Sequence, residues 1–449
     1  MEYHRHHVAY SAMCQPLLQG AVTVSLLVVL TTGGCSVPPA VGVDFSMAWA
    51  KKWQDTHYDE AVGSAYGYGI AVDDRGSLYI SGATQEGSGT PYSGFITKFD
   101  SQFNEIWYNR DYIPATDQYT GVHRVVVTPD GNLIAHATVV EAGQTYARVM
   151  KVSSTDGSVI WQTDIARGND WANIWDGAAG PVLDASGNIY VVSGLGSDVT
   201  VRNGEPLGIY KLDQEGNVLW SAYDYLGSYY PEAEGWDDVW DMVVDSEGSV
   251  YITATADMIK SAGDLNYGLV KYNAQGQREW TRCKNWGDYF DAPRGIAIDE
   301  QDYIYQSGNV CLPDRNWAAV RKFDKNGNLL AEGCMPQDAA YPYGSVTDAQ
   351  GNLVLHGIYP PDCVSEFNLY SPDLELLATF EYKFAGCASY DTPTRGVMDT
   401  WGNLYLLQFF DDTEYGGKSS IGVVKIGDNP IPEPTTLALF TLGLVGVGI

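Results

Sequence analysis

The stretch AVDDRGSLYISG, Ala71–Gly82, decides the fold, because the chain carries six further copies of it. Each copy has a short apolar run, then a turn segment that almost always contains Asp and Gly, then a second apolar run. The copies follow one another at intervals of 49 to 61 residues, which indicates one repeated structural unit. The turn position of the seven copies holds Gly76, Gly131, Gly187, Gly248, Asp302, Gly351 and Gly402.

This pattern predicts a β-hairpin in each copy. Gly supplies the positive φ that a short hairpin loop requires, and the Asp side chain accepts backbone N–H groups inside the turn. The spaced Asp and Asn residues also resemble fragments of calcium-binding loops, but the further carboxylates and the distal Glu of an EF-hand are missing. We therefore interpret these segments as structural turns.

A second repeated phrase follows each of the first six copies, as in ITKFDSQFNEIW, Ile96–Trp107, and predicts a second hairpin. Two hairpins give four strands in each unit. A Lys precedes the second turn in most units, and we interpret this column as pairing within the repeat or as solvated decoration of a strand edge. The column consists of Lys98, Lys151, Lys211, Lys271, Lys322 and Lys425, and Leu369 interrupts it.

Seven four-stranded units predict an all-β fold, a seven-bladed β-propeller over residues 44–428. The seventh unit supplies only three strands. The missing strand is FSMAWAKKWQ, Phe45–Gln54, in which Trp49 stands where Trp220 stands in its own unit. The N-terminal strand is therefore expected to complete the last blade and to remove two exposed sheet edges. The phrases resemble the bacterial propeller repeats called SBBP and, more loosely, NHL repeats, which implies the fold and says little about function.

The charge of the chain excludes two classes of partner. The formal net charge is −30, from 26 basic and 56 acidic residues. Such a surface repels the phosphates of nucleic acids and anionic lipids, so we expect no nucleic acid as a partner. It attracts divalent cations instead, although acidity can also serve only to keep an exported protein soluble.

The N-terminal residues 1–35 predict export. Gly20–Leu30 is an apolar core of signal-peptide length, and small residues then precede Cys35. This arrangement resembles a bacterial lipoprotein cleavage site, which makes Cys35 the lipidation candidate. The alternative is an ordinary cleavage site that lies near Cys35.

The C-terminal residues 431–449 are expected to form a short apolar helix behind the motif Pro432, Glu433, Pro434. The apolar part, Thr435–Ile449, is shorter than the ~17–25 residues of a membrane-spanning helix. The segment closely resembles the PEP-CTERM sorting signal, although the basic end of that signal is missing. The resemblance implies an exosortase-type processing enzyme as a partner, transient anchoring in the inner membrane, and contact with the membrane only through the terminal signals. It also implies a location at the cell surface or in the extracellular matrix of a Gram-negative bacterium.

The long connections between the predicted strands concentrate aromatic and acidic residues. Connections between blades share one face with the loops between second and third strands, and function on a repeat scaffold usually lies there. Flat aromatic rings beside carboxylates and amides suit sugar rings, whereas packing between blades is the alternative. The candidates for ligand binding are Trp171, Trp175, Tyr229, Tyr230, Trp236, Trp240, Trp286 and Tyr289.

Acidic residues recur eight positions before the turn Asp, where the innermost strand of a blade begins. Several carboxylates are therefore expected near one mouth of the central channel, and their repulsion requires a cation or backbone donors. One interpretation is a calcium site, the only cofactor we consider; the other is that each Asp accepts backbone N–H groups at its own strand start. The four candidates are Asp176, Asp237, Asp291 and Asp391.

Five cysteines in the exported part suggest disulfides. Cys283 and Cys334 follow outgoing strands, and Cys311 and Cys363 lie in loops between second and third strands, so the two locations share a face in neighbouring blades. In an oxidising compartment we predict the pairs Cys283–Cys311 and Cys334–Cys363, with Cys387 outside both pairs. Thiols at all five positions are the alternative.

No catalytic motif such as HExxH, GxSxG or a pair of CxxC sequences stands out. The leading hypothesis is an exported, non-enzymatic propeller that binds a polysaccharide or a partner protein through its long-connection face. The first alternative is a metal-dependent hydrolase or lyase at the mouth of the channel. The second alternative is a structural matrix component without a discrete ligand.

Overall fold

The computed structural model describes residues 46–57, 63–85, 91–112, 121–141, 144–168, 179–194, 207–224, 239–257, 265–286, 291–311, 316–335, 341–359, 364–384 and 387–427. The predicted export signal with Cys35 lies outside these residues, as do the sorting motif and its apolar helix. In the described part of the chain, no helix is long and apolar enough to cross a membrane.

The described residues form 28 strands in seven four-stranded antiparallel sheets, arranged as the blades of a ring. The first strand, β1 (Met47–Trp53), belongs to the last blade. Blade 1 contains β2 (Ser64–Val72), β3 (Leu78–Gln85), β4 (Tyr92–Phe99) and β5 (Glu105–Asn109). Blade 2 contains β6 (Gly121–Val127), β7 (Leu133–Glu141), β8 (Gln144–Val152) and β9 (Val159–Gly168). Blade 3 contains β10 (Ala179–Leu183), β11 (Ile189–Gly194), β12 (Leu207–Leu212) and β13 (Val218–Asp224).

The other four blades have the same order of strands. Blade 4 contains β14 (Val239–Val244), β15 (Val250–Asp257), β16 (Leu265–Tyr272) and β17 (Arg278–Lys284). Blade 5 contains β18 (Ala292–Ile298), β19 (Ile304–Cys311), β20 (Asn316–Phe323) and β21 (Leu329–Met335). Blade 6 contains β22 (Tyr341–Thr347), β23 (Leu353–Tyr359), β24 (Val364–Tyr370) and β25 (Leu376–Tyr382). Blade 7 contains β26 (Cys387–Met398), β27 (Leu404–Asp412), the 3-10 helix Thr413–Tyr415, β28 (Lys418–Ile426) and β1.

The last blade is completed by the N-terminal strand, as predicted. β1 pairs with β28 in antiparallel register, from Met47 opposite Ile426 to Trp53 opposite Ile421. An ion pair adds to this closure, because the Lys52 ammonium lies 2.8 Å from a carboxylate oxygen of Asp412. The ring is thus closed by contacts between residues 360 positions apart, which removes the free edges that an open array would expose.

The turn at Asp184 shows how the first hairpin of a blade is held. Its Oδ1 accepts the backbone N–H of Asn188 at 2.9 Å, and its Oδ2 accepts the Asn188 side-chain amide at 2.8 Å and the Tyr190 hydroxyl at 3.1 Å. Burial alone would raise the pKa of Asp184, but these hydrogen bonds lower it. Gly187 has a φ of 76°, which allows the tight reversal. The predicted structural role of the Asp and Gly residues is confirmed here.

The Lys column lies between neighbouring turns. The Lys211 ammonium is 4.8 Å from the centre of the Tyr190 ring and 3.4 Å from Oδ2 of Asp184, so it pairs within its own repeat. Lys98 also reaches the next blade, where it donates to the Ser154 carbonyl at 3.0 Å. The column therefore links blades as well as strands. The same stacking of Lys on Tyr joins Lys98 to Tyr79, Lys271 to Tyr251, Lys322 to Tyr305 and Lys425 to Tyr405.

A tryptophan of each outer strand lies on a turn glycine of the next blade, in four successive pairs of blades. A Cβ on Gly276 would lie 2.7 Å from the Trp220 ring, and the φ of Gly276 is 79°. The Trp220 indole N–H donates to the Ala274 carbonyl at 3.0 Å. Gly276 is therefore required for two reasons: its backbone conformation suits Gly, and a larger residue would clash with the Trp220 ring. The other three contacts join Trp107 to Gly157, Trp161 to Gly216 and Trp280 to Gly327.

Candidate functional site at the central channel

The innermost strands of the blades line the central channel, and the register of each one is irregular near its middle. In six blades a single residue bulges out of the ladder at this point. Bulges of this kind re-aim side chains, and they are common next to functional sites. The bulged residues are Tyr68, His123, Trp240, Arg294, Tyr343 and Thr394.

Three charged residues directly follow bulges and meet across the channel. A guanidinium nitrogen of Arg124 lies 2.6 Å from one carboxylate oxygen of Asp241, and a nitrogen of Arg395 lies 2.7 Å from the other. Both guanidinium groups also donate to the Trp240 carbonyl, at 3.4 and 3.2 Å. We call Arg124, Asp241 and Arg395 the axial cluster. It joins blades 2, 4 and 7, none of which are neighbours.

The axial cluster carries one more positive than negative charge. Asp241 is only 7% exposed. Burial and the charge of Arg124 lower the pKa of Arg395 to about 10, although Asp241 opposes this shift. Two like charges in a partly dry site are unfavourable unless anions offset them. The electrostatics of the cluster therefore favour a further anion.

The innermost strands approach one another very closely around the cluster. A Cβ on Gly69 would lie 2.8 Å from the Arg124 Cα, and a Cβ on Gly295 would lie 3.0 Å from the backbone of Gly344. His356 is 1% exposed, and burial together with the charge of Arg395 lowers its pKa to about 3. Its imidazole is therefore neutral at ordinary pH and forms part of the wall.

A cavity of about 370 Å³ occupies the channel and includes the axial cluster in its lining. The lining runs from the cluster toward the hairpin turns, because it includes residues two positions nearer to those turns. Among the described residues that line it, Asp241 is the only carboxylate. The wall is otherwise mostly apolar, with Val126, Val182, Val243, Val346 and Val397 around it.

Trp240, one of the predicted ligand-binding aromatics, lies beside the channel in contact with the next blade. The Arg294 guanidinium is 4.6 Å from the centre of the Trp240 ring and 4.8 Å from the centre of the Tyr343 ring. It also donates to the Asn309 side chain at 3.0 Å. Such a stack of a cation between two rings belongs to the packing between blades.

Trp286, the second described aromatic of that set, also takes part in packing. The Lys284 ammonium lies 4.7 Å from the centre of its ring, and the Tyr267 ring meets it edge-on at 6.1 Å. The remaining six candidates lie outside the described residues, so sugar binding stays a prediction for Trp171, Trp175, Tyr229, Tyr230, Trp236 and Tyr289.

Asp291 is the one acidic candidate whose side chain the structure describes. It is fully buried just before β18, and its Oδ2 accepts the backbone N–H of Trp286 at 3.0 Å. This contact joins the start of β18 to the segment that follows β17. In the described part of the chain, no group of three or more His, Cys, Asp or Glu residues is placed to hold a metal ion. Asp176, Asp237 and the side chain of Asp391 lie outside the described residues, so the calcium site stays a prediction.

The predicted disulfides also stay predictions. Cys283 and Cys334 are half-buried at the ends of the outer strands β17 and β21. Their expected partners are Cys311, whose side chain lies outside the described residues, and Cys363, which lies outside them entirely.

A larger groove of about 820 Å³ lies on the turn face, between blades 1, 2 and 3. Blade 2 has Ile134 where five other blades have the Tyr of the Lys–Tyr stack. The Lys151 ammonium instead pairs with Asp130 at 2.8 Å. The lining of the groove consists largely of turn residues, among them Asp73, Asp130 and Ser154.

The axial cluster was not anticipated from the sequence, although a signal for it exists. Four positions before the turn Asp or its equivalent, four blades carry glycine and three carry a charged residue. A charge at a position that is otherwise glycine, facing a closed ring, is informative. The seven residues in blade order are Gly69, Arg124, Gly180, Asp241, Gly295, Gly344 and Arg395.

Comparison with known proteins supports the fold and nothing finer. No protein-family profile matches the sequence, and a search of curated proteins finds no match. Among solved structures, polysaccharide lyase Uly1 is 8% identical, with 81% of this chain and 90% of that chain covered and a TM-score of 0.51. At this identity the likeness concerns the fold alone.

Two further structures are similar at lower TM-scores. Sqt1 from Chaetomium thermophilum, bound to the N-terminus of the ribosomal protein L10, is 12% identical, with 83% and 98% of the chains covered and a TM-score of 0.46. The GH93 α-L-arabinofuranosidase of Fusarium graminearum, in complex with arabinobiose, is 13% identical, with 68% and 92% covered and a TM-score of 0.43.

Proposed function

We propose that this protein is an exported, surface-sorted propeller that acts as a binding or scaffold module for an extracellular polysaccharide or a surface protein. One observation carries the choice of binding over catalysis. Asp241, the only carboxylate among the described residues that line the channel cavity, is held between two arginines. Each oxygen of this carboxylate already binds a guanidinium group, which favours a structural role for Asp241 over a catalytic one.

The long-connection face is the proposed binding surface. The opposite face is formed by repeated turns whose polar groups already bind one another, as at Asp184. The long connections differ from blade to blade in sequence and hold the aromatic and acidic candidates. Variation on a rigid repeat scaffold is typical of a recognition surface.

The terminal segments support the proposed location. Residues 1–35 have the features of an export signal, and Pro432, Glu433 and Pro434 precede an apolar segment as in PEP-CTERM proteins. An exosortase-type enzyme would process the C-terminus. Mass spectrometry of the surface fraction is expected to find a mature C-terminus near Pro432; an intact Ile449 in that fraction would contradict this location.

A glycan array probed with the purified exported protein tests the binding role. We expect at least one bacterial polysaccharide to bind, and Trp236→Ala to weaken that binding by about tenfold or more, since aromatic anchors dominate such surfaces. Trp401→Ala is the matched control, because Trp401 is 41% exposed in the turn between β26 and β27, on the opposite face. Equal losses in both variants would count against the long-connection face.

The metal-dependent hydrolase or lyase remains the alternative, because Asp176, Asp237 and Asp391 occupy the same position in three of the repeats. Elemental analysis of the purified protein separates the two proposals. A tightly bound divalent ion, lost in an Asp237→Asn variant, would favour the enzyme. If neither glycans nor surface proteins bind, the structural matrix role takes precedence.

A further inference from the structure

We propose that the channel cavity binds a small organic monocarboxylate, with its carboxylate against Arg124 and Arg395 and its apolar body among the channel valines. This site is distinct from the long-connection face and does not depend on the binding role proposed for that face. The proposal rests on three features of the cavity: its charge, its buried polar groups and its walls.

The charge of the axial cluster is the first feature. Two guanidinium groups share the single carboxylate of Asp241. Each also donates to the Trp240 carbonyl, and their other N–H groups meet no acceptor among the described residues. A guanidinium has five N–H donors in a fixed plane, which suits a second carboxylate held edge-on. A bound anion would therefore satisfy donors and neutralise the excess charge together.

Two buried polar side chains in the lining are the second feature. Ser345 is 8% exposed and its hydroxyl has no hydrogen-bond partner, and Nδ1 of His356 is likewise without one at 1% exposure. Both residues belong to the lining of the cavity. Buried polar atoms without partners are rare, and an unfilled water or ion site is one reason for them.

The walls of the cavity are the third feature, and they select among anions. A volume of about 370 Å³ lies within the usual range for small-molecule pockets, which are mostly apolar with a few convergent polar groups. Val243, Val346 and Val397 lie next to the cluster on the side of the turns. A free phosphate or sulfate would leave these side chains uncovered, and a sugar would place hydroxyl groups against them. A carboxylate with a compact hydrocarbon body would contact both the arginines and the valines of the cavity.

Isothermal titration calorimetry with sodium hexanoate tests the proposal on the full-length protein as purified. Hexan-1-ol and hexylammonium have the same apolar body, so they report the contribution of the carboxylate. We expect hexanoate to bind at least about tenfold more tightly than hexan-1-ol, and hexylammonium not to bind, because the cluster is cationic. Equal affinity for hexanoate and hexan-1-ol, or no binding of hexanoate at millimolar concentration, would overturn the proposal.

Variants locate the site. Arg395→Met is expected to weaken hexanoate binding by about tenfold or more, whereas Arg75→Met, on an exposed turn, should leave it unchanged. Asp241→Asn removes the competing carboxylate and is expected to tighten binding. Should Arg395→Met fail to fold, Asp241→Asn and the three ligands still decide the matter. Hexanoate binding that is unchanged in Asp241→Asn and in Arg395→Met would place the ligand elsewhere and refute the assignment.

Discussion

The rim and the axis of this propeller are built in opposite ways. At the rim, the contact of Trp220 with Gly276 recurs in three other pairs of blades. At the axis, the axial cluster occurs once and joins blades 2, 4 and 7. A rim contact needs only two neighbouring blades to match, so one motif serves repeatedly. An axial contact depends on several blades at once, so it departs from the repeat and gives the channel its individual chemistry.

One rim interface without the Trp–Gly pair illustrates the same rule. In blade 5, Ala331 occupies the register position of the outer-strand tryptophan, opposite Lys322. In blade 6, Leu374 occupies the turn position of the glycine, with a φ of 64°, and packs on a buried apolar cluster. A residue other than Gly in the left-handed region costs about 1–2 kcal/mol. At this interface, the smaller Ala331 on the outer strand thus accompanies the larger Leu374 in the turn of the next blade.

Asp241→Ala breaks the axis and should have the largest effect on stability. It removes a buried carboxylate and leaves two partly buried guanidinium groups without their counter-ion; breaking a buried ion pair typically lowers the free energy of unfolding by about 3–5 kcal/mol. Urea unfolding of the purified protein measures this loss. Asp74→Ala, at an exposed turn position of blade 1, is the control and should change the stability by no more than about 0.5 kcal/mol. Similar losses in the two variants would mean that the axial cluster does not hold the ring together.

Trp220→Ala breaks one rim interface. The change removes apolar contact with Gly276 and the hydrogen bond to the Ala274 carbonyl at 3.0 Å. Since Trp220 is only half-buried, we expect a loss of about 2–3 kcal/mol, below the range for a fully buried tryptophan. Trp401→Ala is again the matched control, with an expected change within about 0.5 kcal/mol. A loss as large as that of Asp241→Ala would make the rim as important as the axis.

Gly276→Ala tests the same interface from the other side. The new Cβ would lie 2.7 Å from the Trp220 ring. The alanine would also have to adopt a φ of 79°, which residues other than Gly rarely do. The expected loss is about 2 kcal/mol. Because half of this loss arises from the ring, the double variant with Trp220→Ala should be more stable than the sum of the two single losses implies, by about 1 kcal/mol. Strict additivity would show that only the backbone conformation requires Gly276.

His356→Leu returns to the axis and should change the pH dependence of stability. Blade 7 has Leu407 at the equivalent position, so the substitution follows the repeat. The pKa of His356 is lowered from 6.5 to about 3 in the folded protein, so below pH 6.5 the unfolded chain binds the proton and stability falls as the pH falls. The variant should lack this contribution, which reaches about 1.4 kcal/mol per pH unit between pH 6 and 4. If the free energies of unfolding of the two proteins changed equally with pH over that range, a neutral, buried His356 would be contradicted.

Much of the fold could be predicted, because each repeat carries its own local instructions. The contacts of the turn at Asp184, including Gly187 and Tyr190, lie within seven consecutive residues, so the sequence pattern contains the whole turn. The closing strand was predictable too, since Trp49 marks β1 as an outer strand without a blade of its own. The site was less predictable. Trp240 was assigned to ligand binding because its connection is rich in aromatic and acidic residues, whereas the structure places it against Arg294 of the next blade.

The sequence by itself determined the number of blades, the four strands in each, the turns and the partner of the N-terminal strand. These properties depend on contacts that are local or that repeat at a fixed interval. Only the tertiary structure decided that Arg124, Asp241 and Arg395 meet, because residues 271 positions apart reach the same point only when the ring closes. The sequence specifies these three side chains, but their proximity depends on closure of the ring.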